Sequence, residues 1–170
     1  MATTYEAIAT VTVTGATAAE IEFTSIAADW TDLLVKLSLR GTRSATATEI
    51  RITVNGSSST YSNRYLQGSG ASASSATYAT TYFYCGEASA ANATSNTFAN
   101  AEIYIPNYAG STNKSVSMDG VQENNDPVAY ASLVAGLWST TSAITSIKIA
   151  PAVNDWAQYS SATLYGIKNS

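Results

Sequence analysis

The chain has 170 residues, with eight basic against twelve acidic side chains and no histidine. That length suits one domain and is enough to bury a real core. A net charge of −4 with scattered cations argues against nucleic acid, which needs a basic patch to release counterions.

Val, Ile, Leu and Phe are sparse, at a level that signals disorder only alongside high net charge, which is absent here. Eleven Tyr and three Trp supply much of the missing apolar area. An ordered domain with a Thr/Ser/Ala-rich surface is expected. Cys85 is the single cysteine, so no intrachain disulfide and no cysteine-based zinc site can form. It reads as a small apolar residue in "TYFYCG". The start "MATTYEAIATV" lacks the basic region and apolar core of a secretory signal. No run reaches the roughly 18 apolar residues of a membrane helix. A soluble protein made in a cytoplasm is the expectation.

In chain order, "AIATVTVT" alternates Val11 and Val13 with threonines, and "EIEF" sets Ile21 and Phe23 between glutamates. The stretch "TSIAADWTDLL" is the best helical candidate, with Ser25 as a cap. It is too short to compete and reads as a connection into the next strand. That strand, "LVKLSLR", puts Val35, Leu37 and Leu39 on one face. "EIRITVNG" does the same with Ile50, Ile52 and Val54, and Asn55-Gly56 is a turn signal. The low-complexity run "GSGASASSAT", residues 68–77, reads as a long surface loop. Then come "ATTYFYCG", "NAEIYIPNY", "KSVSMDGV", "AYASLVAGLWS", "AITSIKIAP" and the closing "SATLYGI", after which only three residues remain. Strands alternating with turn-rich loops predict an all-β antiparallel sandwich, jelly-roll-like, of about eight to ten strands over residues 1–170. A chain that stops so close to its last strand reads as a complete building block.

Without histidine the usual partner of a Ser or Cys nucleophile, the commonest metal ligand and the ordinary pH switch are missing. No phosphate-binding or nucleophile-elbow motif stands in a suitable setting. Two site chemistries survive. A glycosidase-like carboxylate pair is one, but nothing in the sequence selects a pair from acids such as Glu20, Glu22, Glu49 and Glu102, whose alternating positions suggest a solvated face. Calcium in "MDGVQENNDP" is the other, with Asp119, Glu123, Asn124, Asn125 and Asp126 as oxygen donors. The spacing is not that of an EF-hand, and the same residues are what a turn needs, so turn chemistry is preferred. No enzyme activity, cofactor or metal is expected.

The aromatics are the remaining candidates. Tyr104 is out of phase with Ile103 and Ile105 and is expected to face outward, with Tyr108 beyond the Pro106 turn. Trp156 and Tyr159 precede the last strand. Exposed aromatics of this kind mark sugar-stacking platforms or protein interfaces, unless they cover the ends of the sandwich.

The strings "FTSIAADWTDLLVKLSLRGTR", "IRITVNG", "SNRYLQGSGAS", "AEIYIPNYAGSTNKS", "LVAGLWSTTSAITSIKIAP" and "SATLYGIKNS" resemble segments of a family of small structural proteins of tailed bacteriophages, many of them marine or cyanobacterial. The resemblance spans nearly the whole chain. It implies a jelly-roll virion protein, either a head decoration (cement) protein on the capsid shell or a part of tails and fibres. The partners it implies are the major capsid protein and further copies of the chain, as a homotrimer, with edge strands from "ATVTVT" or "SATLYGI". No nucleic acid or membrane is implied. The alternative is a tail- or fibre-associated module that binds a carbohydrate receptor, with a glycan as partner.

Overall fold

A computed structural model describes residues 4–78 and 81–168. They form β1 (Tyr5–Thr12), β2 (Thr17–Ala18), β3 (Ile21–Phe23), β4 (Asp32–Leu39), β5 (Ala47–Val54), β6 (Tyr61–Ser69), β7 (Ser72–Tyr78), β8 (Phe83–Ser89), β9 (Ala99–Ile105), β10 (Lys114–Gln122), β11 (Tyr130–Trp138), β12 (Ile147–Pro151), β13 (Trp156–Ala157) and β14 (Ser161–Ile167). No helix occurs among the described residues. Ser25 adopts a positive φ of 55°, and the segment around it is an irregular lead into β4, as the sequence suggested. Nor, among the described residues, is any helix long and apolar enough to cross a membrane.

The strands build two antiparallel sheets face to face. One has eight strands in the order β1-β14-β4-β9-β10-β11-β6-β7, the other four in the order β3-β12-β5-β8. The short β2 and β13 pair with each other. Leave aside that pair and the two hairpins β6–β7 and β10–β11, and number the remaining eight strands in chain order. One sheet then reads 1-8-3-6 and the other 2-7-4-5, which is the wrapping of a jelly roll. The hairpins are insertions that widen one sheet beyond β9. The sandwich is open, not a closed barrel.

Period-two alternation explains the core. Leu33, Val35, Leu37 and Leu39 of β4 face Ile50, Ile52 and Val54 of β5 across the layer, joined by Ile103, Ile105, Ile147, Ile149 and Leu164, all nearly sealed from water. Phe83 and Cys85 of β8 fill the space beneath the inserted hairpins with Val116, Met118 and Val134. Burial pushes the Cys85 thiol well above its usual pKa, which fits a packing role. At Gly86 the register of β8 on β5 shifts, and φ is +80°. A Cβ there would lie 3.2 Å from the Ser132 side chain, and one on Gly120 would lie 3.0 Å from the Cys85 carbonyl oxygen. The two sheets therefore approach closely where both backbones are bare.

Two sequence expectations change, and one turn is placed. Residues 68–77 are not a loop: β6 and β7 form a hairpin about Gly70, whose φ is +55°. Asn55 and Gly56 do make a tight turn, with φ of 51° and 64°, yet β5 pairs with β12 and β8, so the turn is a corner between sheets. Finally, "SATLYGI" is β14, held between β1 and β4, and lies at no edge.

Candidate functional site

The four aromatics singled out by sequence separate on burial. Trp156 and Tyr108 are each 0% exposed, so neither is a surface platform. Trp156 starts β13, which closes the end of the sandwich, and its indole N–H donates to the Ile149 carbonyl oxygen at 3.0 Å. The Tyr108 hydroxyl donates to the Ala27 carbonyl oxygen and accepts from the Trp30 N–H at 3.4 Å, anchoring the lead into β4. Both precede or follow a strand, where loops are usually open. Here those loops fold over the open ends of the core and need a large ring to seal it.

Tyr104 does point to the outer face, but it is half-buried. Its hydroxyl donates to Asp32 Oδ2 at 2.8 Å, and this bond raises its pKa, with burial adding to the shift. Asp32 Oδ1 accepts the Asn107 N–H at 2.8 Å. Tyr159 alone stands in solvent, 68% exposed, at a φ of +71°. The structure thus does not bring the four together.

The oxygen donors of the 119–126 stretch are occupied locally. Glu123 Oε1 accepts from the Asn125 N–H at 2.7 Å, Asn124 Oδ1 from Asp126 at 2.7 Å, and Asp126 Oδ1 from Val128 at 3.0 Å. This is turn chemistry. Asp119 lies apart, on the outer face of β10 opposite Glu102, where burial and then that carboxylate raise its pKa.

One carboxylate pair does emerge. Glu49 of β5 and Glu87 of β8 sit directly opposite each other. Glu49 Oε2 accepts from Arg51 at 2.7 Å and from the Tyr82 hydroxyl at 3.2 Å. Glu87 Oε1 accepts the Tyr84 hydroxyl at 3.2 Å, and Gln67 Nε2 donates to Tyr84 at 2.6 Å and Ser132 at 3.0 Å. Burial, then repulsion from Glu49, pushes Glu87 up to about 7. Neither groove described below is lined by these two acids.

The feature that sequence reading missed is the outer face of the inserted hairpins. There Val121 of β10, Leu133 of β11 and Leu66 of β6 are 44%, 60% and 55% exposed. Leu133 stands directly opposite Leu66, and Val121 opposite Ala131, which in turn faces Gly68. Small residues between the larger ones leave a shallow groove of about 360 Å³ along this row. A second groove of about 550 Å³ adjoins it at the sheet's end, lined by Gln122, Glu123, Asp126 and Tyr130 among others. One signal was available: Leu133 and Val134 are successive, so on a strand one of them must face away from the core.

In comparison with known proteins, no family model, no curated protein and no solved structure matches the chain.

Proposed function

We propose that the chain is a structural protein of a phage virion: a decoration protein that lays the outer face of its inserted hairpins on the head shell. The observation carrying this reading is the exposed row Val121–Leu133–Leu66, an apolar face on a domain whose other large side chains are mostly covered. The family resemblance of the sequence, its low charge and its lack of histidine point the same way. Shells under internal pressure fail at junctions between capsomers, and a bridging protein adds interface that must break first. Many such contacts in symmetric array multiply a modest single affinity. In this reading the partner is the major capsid protein, and the site of residence is the virion, assembled in the host cytoplasm.

The test is to add purified protein to heads that lack it. Saturation at a copy number matching the symmetry sites, with heads then breaking at higher temperature, is expected. Binding that never saturates, or heads no tougher than before, would overturn the reading. A second reading, a tail- or fibre-associated glycan-binding module, is favoured by one observation, the groove where Tyr130 stands beside Gln122, Glu123 and Asp126. It predicts glycan-array hits that Asp126→Ala abolishes. It no longer has Trp156 or Tyr108 as stacking platforms.

A further inference from the structure

Two sheets have four edges, and unpaired strand edges recruit other chains unless something prevents it. Three of these edges are protected. β3 is three residues long and carries Glu22. β8 is overlaid by the hairpins, and the Asn63 side chain satisfies its backbone, accepting the Tyr84 N–H at 3.2 Å and donating to the Tyr82 carbonyl at 3.0 Å. β1 carries Glu6 and is irregular between Ala7 and Ala9, which throws Ile8 out of register. The fourth edge, β7, has no such device. Its seven residues, Ser-Ala-Ser-Ser-Ala-Thr-Tyr, include no charge and no proline, and its register on β6 is unbroken from Ser72 to Tyr78. Among the described residues nothing pairs with its far side.

We propose that β7 pairs antiparallel with β7 of a second copy, across a twofold axis at Ser75, making one continuous sheet from two. The hairpin geometry sets which groups are free. Ser69 and Ser72 flank the two-residue loop Gly70–Ala71, so they exchange hydrogen bonds, and the alternation continues along the ladder. Ser74 and Ala76 therefore point their N–H and C=O groups toward β6. Ala73, Ser75 and Thr77 point theirs outward. An antiparallel register centred on Ser75 sets Ala73 against Thr77 and Ser75 against itself, and every such pair exchanges both bonds. The edge is self-complementary, as a twofold interface requires. No charges oppose one another across the seam. Leu66 lies directly beside Ser75 on the outer face, so pairing draws the exposed rows of both copies into one apolar band.

The pairing needs no head, so it stands or falls apart from the decoration reading. Sedimentation velocity of the full chain over a range of concentration tests it. The wild type is expected to be a dimer at high concentration. Ser75→Pro removes only an outward N–H, which an edge strand tolerates, and is expected to weaken the dimer at least tenfold with unchanged melting temperature. Ser75→Lys, which opposes two like charges at the axis, is expected to do the same, and salt to reverse part of its effect. A monomer throughout, a trimer, or a dimer insensitive to both substitutions would overturn the proposal. So would a dimer lost on Leu133→Ser but kept by Ser75→Pro, which would place the contact on the face.

Discussion

Over β14, β4 and β9 the outward side chains satisfy one another. Lys36 bonds Glu102, Tyr104 bonds Asp32, and Leu34, between Tyr165 and Tyr104 in register, is 5% exposed. Over β10, β11 and β6 the same sheet continues with the same alternation, yet Leu133, in register between Asp119 and Leu66, stands 60% exposed, and Leu66 55%. The inward side chains of β10 and β11 are buried nearly as completely as those of β4 and β9, and only β6 opens from buried Tyr61 and Asn63 to part-buried Tyr65 and Gln67, so the contrast on the outer face is one of coverage. A jelly roll is complete without the hairpins. Their inner face protects β8, and their outer face is what they add to the molecule's surface.

The largest effect belongs to Trp156, which is fully buried. Trp156→Ala should cost about 3–5 kcal/mol in denaturant unfolding, through the cavity and the lost bond to the Ile149 carbonyl. An effect below about 1 kcal/mol would mean the ends of the sandwich are not sealed as described.

Next comes Glu87, beneath the hairpins. Its pKa is raised from 4.5 to about 7 in the folded chain, so between those values the native state holds more protons than the unfolded one. Its contribution is fully present below pH 4.5 and is lost as pH rises through about 7. Wild type should therefore lose up to roughly 2–3 kcal/mol relative to Glu87→Gln over that window. Parallel pH profiles for the two would show that Glu87 is solvated.

Tyr104→Phe removes one hydrogen bond from Asp32 and should cost about 1 kcal/mol in stability, leaving the Asn107 donor in place. Smallest on stability is Leu133→Ser, expected within about 0.5 kcal/mol of wild type because the side chain already meets water. Its effect should appear on head binding instead, as a weakening of roughly fivefold per site, the worth of about 1 kcal/mol of apolar burial.

How far the sequence revealed this arrangement depended on which side of each strand was apolar. β4, β5 and β12 alternate cleanly and were readable. β6 was not, because its inward positions include Asn63 and Gln67 while its outward position 66 is leucine, the reverse of the usual pattern. Asn63 is inward because it caps β8, a role visible only once the sheets are stacked. β7, with serine and alanine on both faces, had no period to detect. Trp156 and Tyr108 were misplaced for a related reason: loop position suggested exposure, while the open ends of a sandwich demanded large rings. Strand order, and with it the insertion of the hairpins, follows from packing between segments far apart in the chain, which local patterning does not encode.

The most direct measurement is the number of copies bound at saturation to undecorated heads, for wild type and for Leu133→Asp. Wild type filling a symmetry-defined set of sites while Leu133→Asp, folded equally well, leaves them empty is the predicted result. Equal occupancy by both proteins, or none by either, would contradict docking through the hairpin face.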